Sequence, residues 1–135
     1  MTEPISVVGA VIRRGDAVLL AQRRSDQAEP LRWELPGGKC APGEEPPAAL
    51  VRELREELGI ETEVGGLFQV VEHDYPDRCI YLMAFLTTIR AGEPRPLDCQ
   101  AVRWVPIRLL GDYDICEADL PVVKRLQAQG GPTRL

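Results

Sequence analysis

A breaker-dense run, Pro36-Gly37-Gly38-Lys39-Cys40-Ala41-Pro42-Gly43-Glu44-Glu45-Pro46-Pro47, gives way at Ala48 to a stretch reaching Leu58 in which every residue except Val51 is a good helix former. The run is predicted to be loop. Its last prolines suit the first turn of a helix, and Gly59 stands where a left-handed C-terminal cap belongs. At about 100° per residue, Leu50, Val51, Leu54 and Leu58 fall on one arc of that helix, and Glu53, Glu56 and Glu57 on the next. One face enters a core and the adjacent face is strongly acidic. Like charges three and four residues apart repel by a few tenths of a kcal/mol per exposed pair, and more beside an apolar stripe. Either Arg52 and Arg55 neutralise a solvated face, or a cation belongs there. The Gly-Gly-Lys segment favours the cation, because it brings bare backbone, a phosphate-seeking ammonium and three hard oxygen ligands together. Carboxylates select Mg²⁺, or Mn²⁺, over Zn²⁺, and the chain has one histidine. Metal-assisted chemistry on a phosphate is the expectation.

The remaining elements are read from shorter patterns. Ile5 to Arg13 and Ala17 to Arg23 are β-rich and joined by a turn at Arg14-Gly15-Asp16. Arg24 to Leu31 is polar loop. Glu61 to Glu72 and Cys79 to Arg90 read as strands linked by Asp74-Tyr75-Pro76-Asp77, and Ala101 to Pro106 as another. A last helix starts near Glu117, carries Pro121 in its first turns and runs through Leu126. With 135 residues and no dividing linker, the chain makes one domain over 1–135, and strands flanking a few helices imply a mixed sheet covered on its faces. A net charge of −5 argues against a nucleic acid polymer as partner, whose affinity comes from clustered Lys and Arg. Uncharged runs such as Ile5 to Ile12 fall far short of the roughly 20 apolar residues of a membrane span, and Glu3 interrupts any leader pattern, so a cytoplasmic protein is expected. Cys40, Cys79, Cys99 and Cys116 form no C-x-x-C pair and read as free thiols.

Gly38, five residues, Glu44, seven residues, then Arg52-Glu53-Leu54-Arg55-Glu56-Glu57-Leu58-Gly59-Ile60 fill nine restricted positions over 23 residues, and the pattern resembles the signature box of the Nudix hydrolases. The resemblance implies an α/β (α+β) fold, a mixed β-sheet sandwiched between α-helices, and cleavage of a nucleoside diphosphate linked to another moiety. It also implies Mg²⁺, with Mn²⁺ as the substitute, held by Glu53, Glu56, Glu57 and the Gly37 carbonyl. Arg52 would orient the carboxylates, and Glu44 would support the loop or a water of the metal. Glu53 is the first choice for general base. Asp98 stands where some relatives carry Glu, which makes it a further metal or base candidate or a surface turn residue.

Outside the box, Ala21-Gln22-Arg23, Trp33-Glu34-Leu35-Pro36-Gly37-Gly38-Lys39, Tyr75-Pro76-Asp77-Arg78 and Ala118-Asp119-Leu120-Pro121 resemble the MutT-type branch, which turns nucleoside triphosphates into monophosphate and pyrophosphate. That likeness places Arg23, Gly38 and Lys39 at the phosphates, Tyr75 and Arg78 in the nucleotide cleft, and Asp119 at the base edge. Asn is common at this last position in enzymes selecting 8-oxoguanine, since an amide both donates and accepts; ionised Asp only accepts. The readings at this point are 8-oxo-dGTP first and CTP, dCTP or 5-methyl-dCTP second. A nucleotide or ADP-ribose sensor without turnover is the non-catalytic alternative, and an exposed Asp119 at a helix N-terminus the bland one. The partner is a small-molecule nucleotide, and the protein a monomer or homodimer. His73 reads as a partly exposed strand-end residue, Trp33 and Trp104 as core with Trp33 a possible base-pocket wall, and Tyr75 as a loop aromatic suited to stacking.

Overall fold

The computed structural model describes residues 3–129. Its strands are β1 (Ile5–Arg14), β2 (Ala17–Gln22), β3 (Trp33–Glu34), β4 (Gly37–Lys39), β5 (Glu61–Tyr75), β6 (Arg78–Ala91) and β7 (Ala101–Pro106). Helix α1 spans Pro46–Leu58 and α2 spans Leu120–Gln129, with 3₁₀ turns at Ile107–Asp112 and Glu117–Asp119. β1 and β6 run parallel from Ile5 opposite Ile80 to Ile12 opposite Thr87, and β6 pairs antiparallel with β5. The mixed sheet follows from this one parallel pair among antiparallel ones.

Side-chain alternation along β1 sends Val8, Ala10 and Ile12 into one core cluster and Val11 into another. The first cluster is closed by Ala49, Leu50, Leu54 and Leu58 of α1, all fully buried, and the second by Val122, Val123 and Leu126 of α2. Both faces are covered, which is why β1 reads as a nearly continuous apolar run. Each buried leucine of α1 contributes on the order of 2 kcal/mol, so tertiary packing, more than propensity, holds this helix. Pro46 and Pro47 occupy its first turn, and Gly59 at φ 70° caps it, its N–H donating to the Arg55 carbonyl.

On its other edge β1 carries β4 at Val7 to Gly9 but meets β2 only at Arg13 and Arg14. β2 diverges to pair with β7 and β3, and residues 33–39 bridge the parting. The cleft described below opens there. Two expectations are corrected. The segment from Pro36 to Pro47 is not all loop, because Gly37–Lys39 pairs with β1 through long-range hydrogen bonds that no local pattern announces. The β5–β6 connection is also tighter, since Tyr75 pairs with Arg78 and only Pro76-Asp77 turn.

Candidate active site

A cleft of about 530 Å³ is lined by Glu53 and Glu57 of α1, by Gly37, Gly38 and Lys39 of β4, and by Asp98; the same cleft reaches Arg23, Glu34, Tyr75, Arg78, Cys116 and Asp119. At its acidic end the glycines are sterically required. A Cβ on Gly38 would lie 2.3 Å from Glu53 Oε1, and one on Gly37 1.9 Å from the Val8 carbonyl oxygen. Bare backbone is what lets the carboxylate, the strand and the helix converge.

The Gly37 N–H donates to Glu57 Oε1 at 3.1 Å. Burial, reinforced by the negative charge of Glu34, Glu53 and Asp98, still pushes the Glu57 carboxyl up to about 8. Burial also raises Glu53, against the pull of Arg52. Arg52 is the hub of the surrounding network. Its guanidinium donates to both Glu44 oxygens at 2.8 and 2.9 Å, to Glu53 at 3.0 Å, to Glu56 at 3.2 Å and to the Lys39 carbonyl at 3.1 Å. Glu44, which also accepts from the Ala41 N–H, is drawn down to about 2 by this pairing. Glu56 does not line the cleft; it is exposed beside Arg52. Asp98 hangs from α1 through its N–H to the Glu57 carbonyl at 3.2 Å, and its exposed carboxylate pairs with Arg24.

These donors fit a divalent cation with hard-oxygen preference. Two part-buried carboxylates crowd a glycine cradle, Glu57 pays for ionisation in the absence of a positive charge, and no sulfur or imidazole lines this end.

At the other end Asp119 is buried at 7% exposure, and its Oδ2 accepts the Leu35 N–H at 2.9 Å. Burial and the neighbouring Glu34 push its carboxyl up to about 8. The exposed helix-terminus reading is thereby corrected: Asp119 closes a 3₁₀ turn that tucks under β3 instead of facing water. Glu34, raised by burial, accepts from Arg23 at 3.1 and 3.3 Å, and the Arg23 Nε donates to the Ala28 carbonyl. Tyr75 is a strand-end residue, not a loop aromatic. Its hydroxyl accepts the Ala118 N–H at 3.1 Å, and the Arg78 guanidinium lies 4.3 Å above its ring. Trp33 faces the core edge-on to Tyr113 and is not among the cleft-lining residues. Trp104 packs against the α1-side cluster, and His73 is partly exposed, its Nε2 3.0 Å from Glu117 Oε1.

Sequence reasoning missed Glu34 and Cys116. Glu34 left a signal: in a two-residue strand, a core-facing Trp33 sends its neighbour to the opposite side. Cys116 left none.

Residues 3–126 match the NUDIX domain model. The chain belongs to the Nudix family, and within it to the MutT-like hydrolases. It is 37% identical over 124 residues to the CTP pyrophosphohydrolase of Escherichia coli, covering 92% of each chain. To the 8-oxo-dGTP diphosphatase of the same organism it is 34% identical over 120 residues, covering 89% of this chain and 93% of the relative. Among solved structures, the solution structure of the E. coli ORF135 protein superposes with a TM-score of 0.80 at 36% identity, over 94% of this chain and 91% of that one.

Proposed function

We propose that this hydrolase converts nucleoside triphosphates into nucleoside monophosphate and pyrophosphate, with 8-oxo-dGTP as its first substrate. One observation carries the reading: a single cleft joins a carboxylate, glycine and ammonium end suited to a metal-chelated diphosphate to a buried hydrogen-bonding end of base size. Glu53 and Glu57, with Glu56, Asp98 and the Gly37 carbonyl, would hold Mg²⁺ or Mn²⁺, which when bound neutralises the diphosphate and acidifies water. Glu53, which lines the cleft beside Gly38, takes the proton of the attacking water. Arg52 positions Glu53, and Glu44 positions Arg52. Lys39 and Arg23 meet the phosphates, Gly38 leaves room beside Glu53, and Arg78 with Tyr75 borders the nucleoside.

Base preference turns on Asp119. Burial and the neighbouring Glu34 raise its carboxyl toward the protonated form, and a protonated carboxyl donates as well as accepts, as an amide would. Such a pair serves the O6 and N7–H edge of 8-oxoguanine. The ionised form accepts only and suits cytosine N4–H₂, which keeps CTP, dCTP and 5-methyl-dCTP as the second reading, in line with the name of the E. coli relative. Turnover of 8-oxo-dGTP, dGTP, CTP, 5-methyl-dCTP and ADP-ribose with Mg²⁺ decides between them. A kcat/KM led by 8-oxo-dGTP is expected, one led by a cytidine nucleotide selects the second reading, and binding without turnover of any would leave a sensor.

A further inference from the structure

We propose that Glu34, Cys116 and Asp119 form a second cation site, taking Zn²⁺ and refusing Mg²⁺, whose occupation closes the base end of the cleft. One candidate ligand atom from each of the three lies within 4.8 Å of the others. Their backbones are stitched together: the Cys116 N–H donates to the Trp33 carbonyl at 2.8 Å, and the Asp119 N–H to the Cys116 carbonyl at 3.0 Å. The donors are therefore delivered by a hydrogen-bonded frame, and side-chain rotation would bring them toward the Zn–S distance of about 2.3 Å and the Zn–O distance of about 2.1 Å.

Two buried groups keep ligand capacity that the protein does not use. Cys116 is 4% exposed, and its Sγ makes a single long contact among the described residues, donating to Glu34 Oε1 at 4.0 Å, a weak thiol bond that a metal would replace. Asp119 spends Oδ2 on the Leu35 N–H, and among the described residues no donor reaches Oδ1, although the side chain lines the cleft. Charge counting gives the same answer. Fully ionised, the trio carries three negative charges, and the Arg23 guanidinium on Glu34 offsets one. The two that remain match one dication. Without it, ionising the cluster would leave two uncompensated negative charges among buried groups, which is costly. The thiolate makes the site soft. Zn²⁺ binds sulfur with carboxylate oxygen readily and Mg²⁺ does not, so the two ends of the cleft sort different metals. Three protein ligands leave a fourth position open toward the cleft.

Cobalt is the probe. One equivalent of Co²⁺ added to the full chain in excess Mg²⁺ should give a thiolate-to-cobalt charge-transfer band that Zn²⁺ abolishes and further Mg²⁺ does not. Cys116→Ser should remove the band, and Glu34→Gln and Asp119→Asn should each weaken Co²⁺ binding at least tenfold, with circular dichroism confirming the fold. Persistence of the band in Cys116→Ser, or unaltered affinity in folded Glu34→Gln, overturns the site. The inhibitory consequence rests on the proposed substrate reading: Zn²⁺ should raise KM for the nucleotide at saturating Mg²⁺, and zinc that binds without raising KM overturns that consequence. The cobalt result requires no turnover, so failure of the substrate reading remains distinguishable from failure of the metal site.

Discussion

Gly38→Ala isolates the geometry of the acidic end from its chemistry, since it removes no functional group. The new Cβ would stand 2.3 Å from Glu53 Oε1 and 2.4 Å from Cδ, against ordinary contacts of 3.4 Å or more, so the carboxylate must retreat by about 1 Å. Glu53 is also held by Arg52, which in turn grips Glu44 and Glu56, and a shift of this size pulls on the whole set. A 1 Å misplacement of a catalytic group costs on the order of 10²-fold in rate, or roughly 2.7 kcal/mol of barrier. Stability should barely change, because Gly38 lies in a short strand at an ordinary backbone conformation and a Gly→Ala exchange there restricts the unfolded chain by about 0.4–1 kcal/mol. Gly66→Ala is the control, as a Cβ there meets nothing within 4 Å. The assay is pyrophosphate release with Mg²⁺ beside a thermal melt. Wild-type kcat/KM in Gly38→Ala, or a loss of activity matched by a collapse of Tm, would refute the steric argument.

Glu53→Gln keeps shape and removes charge, so kcat should fall at least about 10²-fold with little change in Tm; near-normal turnover reassigns the base to another carboxylate. Arg52→Lys should not restore what Arg52→Ala loses, because a single ammonium cannot grip both Glu44 oxygens and Glu53 together; equal rates for Lys and Arg would remove Arg52 from the positioning role. Asp119 is raised from 3.8 to about 8 in the folded chain, so the stability it contributes is full below about pH 4 and is lost as pH rises through about 8. Asp119→Asn abolishes that titration, and its Tm relative to wild type should therefore climb between about pH 5 and about pH 8.5, whereas a constant difference would mean that Asp119 is ionised throughout. At neutral pH the same variant should keep a preference for 8-oxo-dGTP, and above about pH 8, where the wild-type carboxyl ionises, it should hold that preference while the wild type loses it; parallel pH profiles of preference in the two would mean that Asp119 does not read the base.

What could be read in the chain before folding was local. The period of Leu50, Leu54 and Leu58, the prolines ahead and the glycine behind define α1 within one short window, and the resemblance carried by Gly38 to Ile60 implied the layered sheet. β4 escaped because its three residues are strand only by virtue of β1, some thirty residues earlier. The base end escaped for the same reason at greater range. Glu34 and Cys116 stand 82 residues apart and meet because Trp33 bridges to Ile115, a contact no pattern encodes. The upward shift of the Asp119 carboxyl was illegible altogether, since it depends on burial against Glu34 and not on residue type.

Phosphorus NMR of 8-oxo-dGTP turning over with Mg²⁺ in isotopically labelled water tests the central claim most directly. Monophosphate and pyrophosphate should accumulate in equal amounts, the solvent oxygen should appear in the pyrophosphate, as attack of water at the β-phosphorus requires, and Glu53→Gln should slow both signals at least about 10²-fold. Release of orthophosphate and a nucleoside diphosphate, or unchanged turnover in Glu53→Gln, would contradict it.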